Sequence, residues 1–178
     1  MIEVVEYDPV WAATFQQLAA RYAAALVSVP VVAIEHVGST SIPGLAAKPV
    51  IDIDVVVESA HLAAAIEAME RIGFTSQGVM GIDERWALRA PAGFVRTNTY
   101  VIVDGCLALR NHLGVRNVLR ADGGLRDRYG ALKQALAAQT DDLEQYVEGK
   151  SALLAEILAK AGLTIDELLA IEAANRAG

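Results

Sequence analysis

HVGSTSIPGLAAKPVIDIDVVV, residues 36–57, is the stretch that decides the fold. Its second half, Val50 to Val57, is a β-branched run in which Ile51, Ile53 and Val55 alternate with Asp52 and Asp54. Alternation of period two is the mark of a strand with one face in a core. Its first half closes a strand over 31–37 with the turn-rich GSTSIPG at 38–44, so two strands are expected on either side of a small-residue turn.

The pattern extends outward in both directions. Asp8 followed by Pro9 reads as a helix start, and Trp11, Phe15, Leu18, Tyr22 and Leu26 recur at helical spacing, which predicts an amphipathic helix over 9–27. Residues 59–72 read as a helix closed by Gly73. Three more strands are expected at 74–79, 86–90 and 94–103, with Pro91-Ala92-Gly93 turning between the last two. From Cys106 onward the periodicity is helical, with helices expected at 107–121, 124–138, 141–161 and 164–176. The fold class is therefore α+β: a mixed β-sheet packed by helices, followed by a helical C-terminal half.

Charge is unevenly spread. The chain has 178 residues and a formal net charge of −7. Residues 1–70 hold nine acids and two bases, whereas residues 85–133 hold nine bases and three acids. Overall acidity excludes a protein that coats nucleic acid, since that needs a surplus of Lys and Arg. The single cysteine, Cys106, excludes an internal disulfide and a Cys-based zinc site. The uncharged run from Tyr22 to Ile34 is too short to span a bilayer, and the start lacks the pattern of a signal peptide, so a cytoplasmic protein without membrane attachment is expected. The alanine-rich helices offer an uncharged surface for a homo-oligomer.

Asp52 and Asp54 point to one side of their strand. Two such carboxylates repel unless a cation lies between them, and Mg²⁺ is bound by carboxylate oxygens with substrate phosphates completing its shell. Solvated acids on an edge strand give the same pattern. Gly38, Ser39, Thr40 and Ser41 follow the preceding strand, and small residues of this kind let backbone and hydroxyl groups approach a phosphate. Their spacing to Lys48 is not that of a P-loop. Lys48 stands close enough to this turn to neutralise phosphate charge, or is a solvated lysine.

Strand, Gly-Ser turn and Asp-x-Asp strand together resemble the DNA polymerase β-like nucleotidyltransferase superfamily. Within it, HVGSTSIPGLAAKPVIDIDVVV resembles the signature of the GrpB family, and the resemblance extends through YDPVW, VRNVLR at 115–120, RYGALKQALA at 128–137 and the segment ending at Lys150. It implies a nucleotidyltransferase-like domain over 1–162 with a helical extension at 163–178. It further implies Mg²⁺, with Mn²⁺ as a substitute, and a nucleoside triphosphate whose nucleotidyl group passes to a small-molecule or phosphate-bearing, anionic acceptor. Carried over by position, Gly38 and Ser39, with Thr40 and Ser41 in the same turn, hold phosphate, while Asp52 and Asp54 are catalytic metal ligands.

A third carboxylate is usual in active members. Asn98, Tyr100, Ile102 and Asp104 share a strand face, which makes Asp104 the candidate; it also stands beside Gly105 as an ordinary turn residue would. Arg116 and Arg120, four apart on a predicted helix, are the expected phosphate-binding arginines, with salt bridges to the acidic helices as the other use of these bases. The sequence departs from the family pattern in two places. TNTYVIV at 97–103 stands where histidines are expected, and Asn117 stands where aspartate is expected. These departures motivate the alternative of a catalytically weakened nucleotide-binding or assisting module of the same fold.

Overall fold

In a computed structural model of the protein, residues 2–177 are described, with side chains described through 173. Residue 178 of the expected extension lies outside them. Helix α1 spans Val10–Ala25, with Asp8 Oδ1 accepting from Val10 N at 2.9 Å, and buries Trp11, Phe15, Leu18 and Tyr22. Strand β1 (Ala33–Val37) leads through a short 3₁₀ turn at Ser39–Ser41 to β2 (Ile51–Val57). Helix α2 (Leu62–Arg71) ends at Gly73, which takes φ +100° while Phe74 N reaches back to Met69 O. Strands β3 (Thr75–Ser76), β4 (Arg85–Arg89) and β5 (Thr97–Val103) complete a five-stranded sheet of order β1-β2-β5-β4-β3. Only the central β2–β5 pair is parallel.

The helical half comprises α3 (Leu107–Ala121), α4 (Gly123–Gln139), α5 (Leu143–Glu148), α6 (Ser151–Lys160) and α7 (Ile165–Ala177). The expected helix over 141–161 is two helices. At Gly149 an added Cβ would stand 2.6 Å from Leu136 Cδ2, so the corner between α5 and α6 is pressed onto α4, where a side chain would displace Leu136. The expected strand over 74–79 is reduced to Thr75–Ser76, because Gly78 and Gly81 take φ near +75° and turn the chain away.

The sheet has two dissimilar faces. Ile51, Ile53, Val55 and Val57 of β2 pack with Val101 of β5 against α1 and α2, forming the main core. Val56 and Ile102 point the other way and pack beneath α3 with Cys106, Ala108 and Leu109. Asp52 and Asp54 share this second face with Val56. Alternation thus buries the aliphatic half of β2 under one helical layer and delivers both carboxylates beneath the other. Helix α7 packs on α6 through Leu158, Leu163 and Ile171, and Glu167 forms an ion pair with Arg110 of α3. Among the described residues no helix is long and apolar enough to cross a membrane.

Candidate functional site

The turn after β1 is built around one residue. Gly38 takes φ +66°, and a Cβ there would stand 2.0 Å from Asp52 Oδ2. Glycine is required twice, for its backbone conformation and for the approach of the turn to the carboxylate. The three residues that follow are not equivalent. Thr40 Oγ1 donates to Val50 O at 3.0 Å and accepts from His36 Nε2 at 3.1 Å. Ser41 Oγ donates to Gly38 O at 2.6 Å. Those two hydroxyls brace the turn. Ser39 Oγ instead accepts from Lys133 Nζ at 2.9 Å.

His36 belongs to the bracing. Its ring stacks on Phe15 with centroids 4.6 Å apart, and burial, with Arg120 and Arg116 nearby, lowers its pKa to about 4. A neutral imidazole fits that position.

Ser39 opens onto a cavity of about 490 Å³ that Gly38, Lys48, Asp52, Asn98, Lys133 and Lys150 also line. Arg96 and Tyr146 complete its wall. Four cations thus face one carboxylate. Lys133 is buried on α4, and desolvation, reinforced by Lys150, lowers its pKa to about 7 while Asp52 opposes the shift. Lys150 is lowered to about 8 by burial and then by Lys48. Burial and Arg96 also lower Lys48. The ammonium groups of Lys48 and Lys150 stand 4.9 and 4.4 Å from the centre of the Tyr146 ring. Asp52 is pushed up to about 6, first by burial and then by Asp54, although the Asn98 hydrogen bond, His112 and Lys133 pull it down. Lysines crowded together at a partly closed cavity, each held below its ordinary proton affinity, have a charge complementary to that of a multiply charged anion.

The second carboxylate lies deeper. Asp54 is fully buried, and its Oδ2 accepts from His112 Nδ1 at 2.7 Å. Its Oδ1 has no hydrogen-bond partner among the described residues.

Several residues singled out in the sequence stand elsewhere. Asp104 follows the last residue of β5, where its backbone N–H bonds Val57 O at 2.9 Å. The parallel register sets Asn98, not Asp104, opposite Asp52. Asp104 is six residues further along, about 20 Å at 3.3 Å per residue. It is a turn residue leading into α3. Arg116 and Arg120 lie behind the Gly-Ser turn, outside the cavity wall. Arg116 pairs with Glu35 and donates to His36 O at 3.0 Å. Arg120 donates to Ser41 O through Nε at 3.0 Å and Nη2 at 2.6 Å. Both rivet α3 to the β1 end instead of facing the cavity. Other bases form salt bridges within the helical half, Arg110 with Glu167 and Arg128 with Glu156. Asn117 accepts from Arg116 Nε at 3.1 Å.

The cavity's basic side chains come from Lys48, Arg96, Lys133 and Lys150, of which only Lys48 was singled out as a phosphate ligand. A signal for Lys133 exists. Leu125, Tyr129 and Lys133 recur every four residues and all three are buried, so this lysine occupies an apolar stripe.

The sequence model of the GrpB protein family matches residues 1–160. The chain belongs to the GrpB family. A UPF0157 protein of Halalkalibacterium halodurans is 34% identical over 167 residues, covering 92% of this chain and 84% of the relative. The UPF0157 protein YqkA of Bacillus subtilis is 36% identical over 152 residues, covering 84% of this chain but 44% of the relative. A protein named dephospho-CoA kinase from Mycolicibacterium paratuberculosis is 32% identical over 178 residues, covering 84% of this chain and 43% of its own length. This GrpB chain therefore spans less than half the length of two of these relatives. The crystal structure of conserved protein GrpB from Enterococcus faecalis superposes with a TM-score of 0.78 at 33% identity, covering 89% of this chain and 96% of that one. The Cid1 poly(U) polymerase, in a structure bound to MgATP, shares the fold with a TM-score of 0.50 at 13% identity over 73% of this chain and 45% of its own. The GrpB fold is thus nucleotidyltransferase-like.

The donor set bears on the metal that this fold implies. Two-ion catalysis needs several carboxylate oxygens directed at one space. Here Asn98 stands on β5 opposite Asp52 and donates to its Oδ1 at 2.7 Å. Asp54 is turned to His112, and no group of three or more acidic, histidine or cysteine side chains able to hold a metal ion occurs among the described residues. This set does not fit a pair of metal ions.

Proposed function

We propose that this GrpB domain binds a nucleoside triphosphate, or a nucleotide of similar charge, with its phosphates in the lysine-lined cavity. The observation that carries the reading is the convergence of Lys48, Lys133 and Lys150, from three separate segments, on the Gly38-Ser39 turn. Each lysine is a compact donor to phosphate oxygen. The turn supplies close backbone approach, and the cavity of about 490 Å³ is in the range of small-molecule sites. Ligand phosphates would restore the protonated state of Lys133 and Lys150, which burial disfavours. The similarity to a stretch of a protein named dephospho-CoA kinase agrees with this ligand class.

The binding reading matches the weakened-module alternative more closely than it matches metal-dependent transfer. One observation favours transfer as a second reading: Asp54 Oδ1 is buried and unpartnered next to Asp52 on the strand. The two are separated by calorimetric titration of ATP and UTP into the chain, with and without Mg²⁺, alongside an assay for pyrophosphate. Nucleotide binding that Lys133→Gln weakens at least tenfold supports the cavity reading. Pyrophosphate release that needs Mg²⁺ or Mn²⁺ and is lost in Asp52→Asn supports transfer to an acceptor. Affinity unchanged by Lys133→Gln overturns the assignment of the cavity.

A further inference from the structure

A second cavity, of about 370 Å³, opens on the same face of the sheet, between the β4 end and α3 and α7. Arg85, Asn111 and His112 form its polar wall, exposed Asp83 and Glu84 stand at its rim, and Ile171 closes one side.

Three features of this wall go beyond ordinary packing. His112 Nδ1 is bonded to Asp54 Oδ2, and a carboxylate oxygen accepts, so Nδ1 carries the hydrogen. The other ring nitrogen, Nε2, has no hydrogen-bond partner among the described residues, and His112 lines the cavity. Arg85 Nε is buried without a partner among the described residues, while its guanidinium lies 4.4 Å from the centre of the Tyr100 ring. Buried polar atoms are almost always bonded, and the guanidinium of Arg85, which lines the cavity, makes no hydrogen bond or ion pair to the described residues, so it is available to an acceptor oxygen. Glu84 takes φ +61° and Met80 φ +47°, so the segment that forms the rim holds conformations unfavourable for residues other than glycine.

We infer that this cavity is a second ligand site, for a small molecule that carries an anionic oxygen group and a hydroxyl. The anionic oxygen meets Arg85, and the hydroxyl forms a hydrogen bond with His112 Nε2. Asp54 acts as a positioning residue, fixing the ring through Nδ1.

The two cavities are linked by β2. Asp52 lines the first, and Asp54, two residues and about 7 Å along the strand, holds the histidine that lines the second. In the transfer reading of the nucleotide cavity this is where an acceptor sits; the binding inference itself rests only on the wall of the second cavity.

Glycerol 3-phosphate is a suitable probe, because it has both groups and is small enough. It is titrated into the full chain while the ring resonances of the three histidines, His36, His61 and His112, are followed by NMR. The expected result is a saturable shift of the His112 ring, with binding at least tenfold weaker in Arg85→Gln and in His112→Gln and within twofold of the parent in Lys133→Gln. ATP affinity, measured in the same samples, is expected to fall in Lys133→Gln alone. No saturable shift at His112, or affinity unchanged in Arg85→Gln, overturns the inference. Binding lost in Lys133→Gln but kept in Arg85→Gln places the probe in the first cavity and also overturns it. Failure of ATP to bind the parent chain contradicts the nucleotide reading and leaves the glycerol 3-phosphate result standing by itself. Asp54→Asn, with the fold checked by the dispersion of the same spectra, is expected to change the His112 tautomer ratio and weaken the probe. A purely structural His112 would keep its tautomer and its spectrum on probe addition.

Discussion

Replacing Lys133 by methionine should make the empty protein more stable and make it worse at binding phosphate. Lys133 is 3% exposed, and its pKa falls from 10.5 to about 7. At about 1.4 kcal/mol per tenfold change in proton affinity, that fall corresponds to a cost on the order of 5 kcal/mol for charged Lys133 in the folded state. The sign follows from proton counts. Below pH 7 both folded and unfolded chains carry the proton and the cost is complete. Between about 7 and 10.5 the unfolded chain holds more protons, so stability rises with pH and the cost shrinks to about 2 kcal/mol at pH 9. Methionine has a similar length and no charge. It forfeits the hydrogen bond to Ser39 and the contact with the Tyr129 ring, each on the order of 1 kcal/mol. A net gain of about 3 kcal/mol is therefore expected at pH 6, and about zero at pH 9. Urea unfolding of the parent and Lys133→Met at the two pH values measures the difference. A variant no more stable than the parent at pH 6, or a difference that is the same at both pH values, refutes the reasoning.

Four further outcomes follow from the same geometry. Gly38→Ala should destabilise the fold by about 1–2 kcal/mol from its φ of +66° alone, and should abolish nucleotide binding because its Cβ displaces Asp52, read by urea unfolding and ATP titration. Arg116→Ala should cost stability, on the order of 2–3 kcal/mol as Glu35 is left half-buried without its partner, with ATP affinity within about twofold of the parent. Asp104→Asn should change neither stability nor ATP affinity measurably, since Asp104 lies at the far end of β5. ATP affinity should fall as pH rises through about 7 to 9, as the folded chain loses protons from Lys133 and Lys150, and binding near pH 8 should take up protons, seen as a calorimetric enthalpy that depends on the buffer.

Much of the scaffold is readable from local pattern. The alternation of Ile51, Ile53 and Val55 with Asp52 and Asp54 sorts them to opposite faces, and the structure keeps that division, with the three aliphatic residues at 0–2% exposure. The Trp11–Leu26 stripe and the glycine at 73 are equally local, because each depends on neighbours within a few residues. What a strand stands beside is not local. Asp104 has the right parity to share a face with Asp52, but parallel pairing of β2 with β5 puts Asn98 opposite it. Arg116 and Arg120 share a helix face as their spacing requires, yet that face meets Glu35 and the carbonyls of His36 and Ser41 rather than the cavity. The basic residues that line the cavity come from β2's approach, β5's approach, α4 and the corner after α5, and only the packing of the helical half on the sheet brings them together. His112 meets Asp54 for the same reason, across 58 residues of sequence.

The lysine-lined cavity is proposed to hold the phosphates of a nucleotide. The most direct test is calorimetric titration of ATP into the parent chain and into the Lys133→Gln/Lys150→Gln double variant at pH 6.5, with EDTA present in both. The expected result is saturable one-to-one binding by the parent, displaced by inorganic tripolyphosphate, and a loss of at least a hundredfold in the double variant, or about 3 kcal/mol. Equal affinity in the two proteins, or ATP binding that tripolyphosphate does not displace, would contradict it.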